Sequence, residues 1–379
     1  MRPDIRPHNC DNLSAALQIC KPAVQCCGCA GERQQHKVLK ACPLGSGAPT
    51  CGGTGLLLTV LLYCSAMPAR WKSDRPMSRQ EFEALFADDA ACARYLVGRR
   101  WPDGFVCPVC GARKGWALNH DRPAWECAGC RRQTSVTAGT VMHGSHLPLR
   151  TWFMAAHIVA SHSNGIPAYQ LQAQVGIGSY KAAWLLLHKL RRAMVDPDRG
   201  LLQEIVEVDE TEMPFRRKAD PIERPAGEPD SSKKIRIVGA VGLSEDGHPG
   251  RIRLEQIFDR SSRTLHGFVG RMVEPGAHVI TDGLISYENM PNNTHEPKVV
   301  SGQKAHEILH WVHRGFSNLK RWAKGVFHGF RQKHIQRYLD EFVFRWNRRR
   351  HLRTAFDRLL GIGVGLAPAT YRDIVEHRA

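Results

Sequence analysis

Long apolar runs are missing from this sequence of 379 residues. The apolar stretch at residues 56–63 is far shorter than the roughly 20 residues that a membrane-spanning helix needs. It also begins too late in the chain to be the core of a signal peptide. We therefore expect no membrane segment.

Cysteine is missing after Cys130, although the chain has 13 cysteines and eight of them precede residue 65. A secreted scaffold held by disulfides would distribute its cysteines through the folded part. The observed distribution favours a reducing cytoplasm instead. It also favours metal binding as the role of the paired cysteines between residues 107 and 130.

Acidic residues are few relative to basic ones, since 36 Asp and Glu face 53 Lys and Arg, a formal net charge of +17. This surplus favours a polyanionic partner, because each phosphate that a cation contacts releases a condensed counterion. Twelve of the cations fall between residues 314 and 353, against Asp340 and Glu341. We interpret this basic run as a phosphate-binding surface, and a solvated helix face is the alternative.

Changes in composition and in hydrophobic pattern divide the chain into five segments. Residues 1–76 mix Pro, Gly and scattered Cys without a helical or strand period, which predicts a disordered or mis-assigned extension. A genuine N-terminal domain is the alternative there. The patterned part begins with a capping box at Ser78 and Glu81. We expect a zinc ribbon with leading helices at 77–145, a helix-turn-helix-like segment at 146–200, an α/β domain at 201–360 and a C-terminal tail at 361–379.

Residues 201–360 alternate between strand and helix patterns. The apolar segments predict strands at residues 205–208, 235–243, 251–258, 278–281 and 298–300. Helical spacing runs through 261–273 and dominates from 303 to 351. This order predicts an α/β sheet of mixed direction.

Two Cys-x-x-Cys pairs are separated by 16 residues, a spacing typical of a zinc ribbon. Four cysteines fill a tetrahedral zinc site and leave no open position, so we expect a structural Zn²⁺. His120 lies in the loop between the pairs and is the alternative ligand. The predicted zinc ligands are Cys107, Cys110, Cys127 and Cys130.

A helix, a glycine-bearing turn at 175–178 and a second helix starting at Ser179 follow the order of a helix-turn-helix. The start of that second helix carries Lys181, and its end carries Arg191 and Arg192. We therefore predict DNA contacts here, and a plain helical hairpin is the alternative.

Two acidic residues follow buried strands in the α/β domain. Asp209 follows the strand at 205–208 and Asp282 follows the strand at 278–281. An acid in such a place is costly unless it binds something, and paired carboxylates suit Mg²⁺. The third ligand is expected on the next helix, where His313 is followed seven residues later by Lys320 on the same face. Asn318 is the rival ligand, and Glu341 is interpreted as structural or DNA-positioning.

A series of motifs runs through residues 100–349: RWPDGF at 100–105, CPVCG at 107–111, VDET at 208–211, TDG at 281–283, SNLKRW at 317–322, HGFRQKHIQRYLDEF at 328–342 and FRWNRR at 344–349. With these motifs, residues 77 to about 360 resemble the DDE-type insertion-sequence transposases that carry an N-terminal zinc ribbon, the ISXO-like group.

The resemblance implies an RNase H-like catalytic domain that cleaves the element's terminal inverted repeats and joins them to target DNA. The implied cofactor is Mg²⁺, with Mn²⁺ as an alternative ion, held by Asp209, Asp282 and His313. Such families place a Glu, or sometimes an Asn, where this chain has His313, and Lys320 is the matching Lys. We expect at least a homodimer, because two element ends must be paired, acting on DNA at the bacterial nucleoid.

The DNA contacts are expected from cations of the helix-turn-helix-like segment and of the basic run, namely Lys181, Arg191, Arg192, Lys320, Arg321, Lys324, Arg348 and Arg349. One alternative function is a non-catalytic DNA-binding protein whose C-terminal domain is a relic. Another is a nuclease that does not join strands. The presence of both Asp209 and Asp282 argues against a relic, which would tolerate the loss of either.

Overall fold

The computed structural model describes residues 74–118, 123–215, 234–298, 305–327 and 330–376. Residues 1–73 of the extension predicted at 1–76 lie outside the described residues, and so does His120. Among the described helices, none combines the length and the apolar character that a membrane crossing requires.

Two helices open the described chain, α1 (Arg79–Leu85) and α2 (Asp89–Arg100). The predicted capping box is confirmed, because the Ser78 hydroxyl accepts from the Glu81 amide at 3.2 Å. The Glu81 carboxylate in turn accepts from the Ser78 amide at 2.7 Å. The side chain of Asp88 accepts from the Ala91 amide and so starts α2 in a similar way.

A small antiparallel sheet follows, with strands β1 (Gly115–Leu118), β2 (Ala124–Cys127) and β3 (Gln133–Ser135) in that spatial order. Its apolar core is small, consisting of Trp101 and Phe105 packed near Cys107 and Cys127. A core of this size supplies little stability, so a bound metal is needed to hold the ribbon together.

Three helices come next, α3 (Leu149–Ser161), α4 (Ala168–Val175) and α5 (Tyr180–Arg192). Gly176 ends α4 with a φ of +72°, a left-handed conformation that favours glycine. Ser179 occupies the N-cap position of α5, although its side chain makes no capping hydrogen bond. The predicted succession of helix, glycine turn and helix is thus present.

One apolar core joins α1 and α2 to α3, α4 and α5, so the segment boundary predicted at residue 146 runs through a shared core. The same core contains Phe356, Leu359 and Leu360 from helix α10 (Ala355–Gly365). The stretch predicted as a tail contains the end of α10 and helix α11 (Tyr371–Val375).

The α/β domain contains a five-stranded sheet with the spatial order β6-β5-β4-β7-β8. The strands are β4 (Ile205–Pro214), β5 (Lys234–Leu243), β6 (Pro249–Ile257), β7 (His278–Thr281) and β8 (Thr294–Pro297). Strands β4, β5 and β6 pair antiparallel, whereas β4, β7 and β8 are parallel. Strands β4, β5 and β6 form an antiparallel unit, and β7 and β8 extend the sheet on the other side of β4. This is an RNase H-like arrangement, as expected.

Two strands differ from the prediction. β4 continues to Pro214 instead of ending at residue 208, because β5 pairs with all ten of its residues. β8 occupies Thr294–Pro297, whereas a strand was predicted at 298–300; Lys298 lies outside it, and residues 299 and 300 fall outside the described part. The polar sequence of both segments conceals them from a pattern based on apolar alternation.

Helices cover both faces of this sheet. Helix α6 (Ser262–Met272) packs on the face that carries Val206 and Val208. The other face is covered by α8 (His310–Phe327), preceded by the short α7 (Ala305–Ile308), and by α9 (Ile335–Arg348). Helix α8 approaches β5 closely at Gly239, where a Cβ would lie 2.6 Å from Phe316 Cε1. This close packing fixes the depth of α8 against the sheet.

Candidate catalytic centre and zinc site

The register of the two parallel strands β4 and β7 brings the predicted carboxylates together. Val206 pairs with Val279 and Glu207 with Ile280. Continuing this register by two residues brings Asp209 beside Asp282, which follows the end of β7. The Asp282 carboxylate accepts from the Leu284 amide at 3.1 Å, which fixes its turn. Two acids on neighbouring parallel strands thus share one level of the sheet, as predicted.

Helix α8 brings the third predicted residue to the same place. His313 Nε2 lies 3.2 Å from Asp209 Oδ2. The geometry therefore favours His313 over Asn318, which is five residues farther along and about 140° around the helix axis. Burial lowers the pKa of Lys320. The charge of the nearby Asp209 carboxylate opposes this shift.

Glu207 was not predicted as a site residue, yet it positions α8. Its Oε2 accepts hydrogen bonds from the amides of Trp311 and Val312, both at 2.8 Å. Glu207 and Asp209 project from the same face of β4, because side chains alternate along a strand. A buried carboxylate at the N-terminus of α8 is also favoured by the helix dipole. The only signal in the sequence was an acid inside an otherwise apolar strand.

The site is rich in buried negative charge. Burial, with a smaller contribution from the neighbouring charges of Asp282 and Glu210, raises the pKa of Asp209 to about 7. Burial likewise raises the pKa of Glu210, and the charge of Asp282 adds to this shift. Clustered carboxylates with raised pKa values are a feature of cation-binding and catalytic sites.

Glu210 is a second residue that the sequence reasoning missed. It lies on the opposite face of β4 from Asp209, where the buried Tyr287 hydroxyl donates to its carboxylate. Arg260 Nε lies 3.7 Å from the other oxygen of Glu210. These contacts stabilise a buried acid next to the predicted metal ligands. No local sequence pattern indicates these contacts, because Tyr287 and Arg260 come from distant parts of the chain.

Asp209, Asp282 and His313 carry the oxygen and nitrogen donors that suit a hard divalent cation. Among the described residues, however, the four cysteines are the group whose donor atoms all lie within 4.8 Å of one another, so these three side chains are not gathered as closely. Glu341 takes no part in this site. It is buried and paired with Arg191 at 2.8 Å and with Arg345 at 2.7 Å, which agrees with a structural role.

The prediction that Arg191 contacts DNA is corrected by this ion pair. Arg191 is 1% exposed, and its guanidinium also stacks over the Tyr338 ring at 4.1 Å. A side chain enclosed in this way presents no donor to a phosphate. The charge run at the end of α5 was read as a surface because the sequence does not show that α9 covers it.

The other predicted DNA-binding cations differ in exposure. Lys320, Arg321 and Lys324 are exposed along α8. Lys181 is also exposed, and its ammonium lies 4.1 Å from the centre of the Tyr371 ring. Three further cations are half-buried against the protein: Arg192 donates to Ala367 O at 3.2 Å, Arg348 stacks on the Phe344 ring, and Arg349 donates to Pro249 O at 2.5 Å.

The four predicted cysteines form a compact cluster at the ends of the ribbon's turns. All four sulfur atoms lie within 4.8 Å of one another. The distance from Cys107 Sγ to Cys130 Sγ is 3.7 Å, and that from Cys110 Sγ to Cys127 Sγ is 3.5 Å. A tetrahedral zinc with bonds of about 2.3 Å requires sulfur atoms about 3.8 Å apart. The arrangement therefore fits a structural zinc.

The peptide backbone also favours the thiolate form that zinc requires. Backbone amides of Cys110 and Val109 hydrogen-bond to the Cys107 sulfur and lower the pKa of that thiol to about 6. A thiol that is already ionised near neutral pH binds a metal without first losing a proton.

Comparison with known proteins identifies both regions. Residues 201–347 match the ISXO2-like transposase domain, and residues 87–133 match the transposase zinc-ribbon domain. The chain thus contains an ISXO2-like transposase domain preceded by a transposase zinc ribbon. The family expected from the motifs is thereby confirmed, together with the zinc ribbon that precedes the transposase domain.

The chain is 30% identical over 166 residues to a protein of Halobacterium salinarum described as an uncharacterized protein in transposable element ISH50. The match covers 43% of this chain and 54% of the relative, so the chain spans about half of the relative's length. Among solved structures, the crystal structure of a pre-cleavage Mos1 transpososome aligns with 56% of this chain and 78% of that chain. The sequence identity is 13% and the TM-score is 0.25.

Proposed function

We propose that this transposase binds the terminal inverted repeats of its insertion sequence, cleaves the DNA there and joins the ends to target DNA. The proposed ligands of the catalytic Mg²⁺ ions, for which Mn²⁺ is an alternative, are Asp209, Asp282 and His313. The observation that supports this most directly is the register of β4 and β7, which brings Asp209 level with Asp282 just beyond the end of β7, with His313 Nε2 3.2 Å from Asp209 Oδ2.

Bound divalent ions activate the attacking oxygen and stabilise the leaving oxygen in such phosphoryl transfers. The protein residues hold and orient the reacting groups. Asp209 and Asp282 supply the negative charge that anchors cations, and His313 adds a neutral nitrogen donor. Lys320 lies on the same side of α8 as His313, near Asp209. Its ammonium is proposed to bind a DNA phosphate.

The zinc ribbon and α5 are proposed to guide the DNA, with Lys181 and Arg192 as contacts. Lys320, Arg321 and Lys324 form an exposed row on α8 that continues this contact toward the catalytic centre. Arg348 and Arg349 are proposed to take part from the end of α9. Pairing of two element ends is proposed to require at least a dimer of the chain.

The test is cleavage of a labelled duplex that carries the element's own ends, in the presence of Mg²⁺. The natural chain is compared with Asp282→Ala and with Asp246→Ala, a matched change at an exposed acid in the turn between β5 and β6. We expect cleaved and joined products from the natural chain and from the Asp246 variant, and none from Asp282→Ala.

Two other outcomes would replace this function. If the natural chain binds the duplex but does not nick it with Mg²⁺ or Mn²⁺, the protein is a non-catalytic DNA-binding protein. If it produces nicks but no joined strands with both ends supplied, it is a nuclease that uses the same site.

A further inference from the structure

A cavity of about 360 Å³ lies where the segment after α5, the edge strand β6 and the helices α9 and α10 meet. Five arginines contribute to its lining: Arg199, Arg251, Arg253, Arg348 and Arg358. The aspartates among the lining residues are Asp196 and Asp198, so the arginines outnumber the acids by three. The proposed metal ligands Asp209, Asp282 and His313 do not belong to this lining.

Arg253 carries a buried charge within this arginine cavity. It is 3% exposed, and its guanidinium donates to the carbonyls of Gly200 at 2.8 Å and Ile252 at 3.1 Å. Burial, with a smaller contribution from the positive charges of Arg199 and Arg251, lowers its pKa to about 10. Carbonyl oxygens satisfy its donors but do not neutralise its charge, and a buried charge without a counterion is costly.

Arg348 repeats this pattern. Burial lowers the pKa of Arg348, and the charge of Arg358 contributes to the shift, while Asp196 opposes it. Across the described residues, no carboxylate lies within 4.0 Å of a nitrogen of any of the five arginines. Like charges that converge on one cavity repel one another, and an anion bound among them would remove this repulsion.

We propose that the arginine cavity binds a backbone phosphate of DNA at a point separate from the catalytic centre. Guanidinium groups suit this ligand, because their fork of donors matches two oxygens of one phosphate. Choosing DNA as the source of the phosphate rests on the proposed function of the chain.

The position of the cavity agrees with such a contact. Arg253 pairs with Ala240 of β5, and Ala240 pairs with Val208 of β4. Two strand spacings, about 10 Å, therefore separate Arg253 from the strand that carries Asp209. The register also places the Arg253 side chain on the face of Val208, opposite to that of Asp209, so flanking DNA would reach the cavity around the edge strand β6. The contact would fix the flanking DNA while the catalytic centre acts elsewhere on it.

The experiment uses the full chain with Arg251→Gln and Arg358→Gln combined, since both arginines are exposed and their replacement removes no buried contact. The matched control combines Arg79→Gln and Arg263→Gln, two exposed arginines outside the cavity. Binding of a labelled duplex is followed by fluorescence anisotropy over a series of KCl concentrations, without added divalent metal. In parallel, the melting temperature is measured with inorganic phosphate and with chloride at equal ionic strength.

We expect several-fold weaker duplex binding by the cavity variant than by the control, with a salt slope shallower by about one, the effect of losing one phosphate contact. Inorganic phosphate should raise the melting temperature of the natural chain and the control, but not that of the cavity variant.

Three results would overturn the proposal. Equal slopes for variant and control, with no phosphate-dependent stabilisation of the natural chain, mean that the cavity binds no phosphate. Equal slopes with a stabilisation that the variant loses mean that the occupant is free phosphate and not DNA. Identical losses in variant and control mean a general effect of net charge. Because Asp209, Asp282 and His313 are unchanged and no Mg²⁺ is added, these results do not depend on whether the chain cleaves DNA.

Discussion

Glu207 and Asp209 lie two residues apart on one face of β4, and both contact the first turn of α8. Glu207 accepts from the amides of Trp311 and Val312, and Asp209 contacts the imidazole of His313. One short piece of strand therefore fixes where the helix begins and which of its side chains enters the proposed catalytic centre.

Replacing Glu207 should damage the site without removing any proposed ligand. In Glu207→Leu two buried amides lose their acceptor, at a cost of about 1–3 kcal/mol each. Glu207→Gln keeps an oxygen acceptor and should lose far less stability. We expect DNA cleavage to fall strongly in the Leu variant and to be largely kept in the Gln variant, with unfolding in urea as the measure of stability. Equal activity in both would show that α8 is positioned by other contacts.

Asp209 should make the metal-free protein less stable as the pH rises. Its pKa is about 7 in the folded chain against an ordinary value of 3.8, so the folded state binds the proton more tightly than the unfolded state. Stability contributed by this proton is present below pH 4 and is lost between about pH 4 and pH 7.

Asp209→Asn should therefore be more stable than the natural chain at pH 8 without divalent metal, by up to about 4 kcal/mol at about 1.4 kcal/mol per pKa unit. The difference should shrink at pH 5.5. Thermal unfolding at both pH values measures it, with Asp246→Asn as the control at an exposed acid. A variant that is less stable than the natural chain at both pH values would contradict this account. Cleavage activity should be lost in Asp209→Asn.

Removing zinc should unfold the ribbon but leave the five-stranded sheet intact. The ribbon has a small core in which Trp101 packs edge-to-face on Phe105 and Trp125, and the four cysteines close it. We expect one zinc per chain by elemental analysis and a change in tryptophan fluorescence on chelation or in Cys127→Ser. Far-UV circular dichroism should change little. Full loss of helical signal on chelation would mean that the ribbon supports the whole fold.

The buried pair of Arg191 and Glu341 should matter for stability and not for DNA binding. Among the described residues, Arg191→Met leaves Arg345 as the remaining ion-pair partner of Glu341, and breaking a buried pair costs about 3–5 kcal/mol. The double variant Arg191→Met/Glu341→Leu should recover part of this loss. Denaturant unfolding measures both effects. At a temperature where the variants are folded, the salt dependence of duplex binding should match that of the natural chain, and a shallower slope would restore Arg191 as a DNA contact.

Local signals were sufficient to predict several features. The cysteine spacing predicted the zinc cluster, the Ser78 capping box predicted the start of α1, and the strand at 278–281 placed Asp282 at its end. Each of these depends on residues that are close in sequence. The pairing of Asp209 with His313 was also predictable, though through the resemblance to transposases and not through the local pattern.

The features that escaped prediction depend on contacts between distant segments. Glu207 and Trp311 are separated by 104 residues, and Arg191 and Glu341 by 150. No periodicity reveals that β4 continues through its polar second half, where pairing with β5 extends the strand. An acid or an arginine in the sequence looks solvent-exposed until the element that covers it is known.

The position of α10 has a consequence for the order in which the protein folds during synthesis. Phe356 of α10 packs against Phe82, Phe86 and Phe153, so the core of the first helices is completed by a segment beyond the whole sheet. About 170 residues are translated between the end of α5 and the end of α10. At about 5–20 residues per second this takes roughly 10–35 s. During that time the core of the nascent helix-turn-helix-like region lacks the side chains that α10 contributes. Its final packing must wait until the transposase domain has left the ribosome.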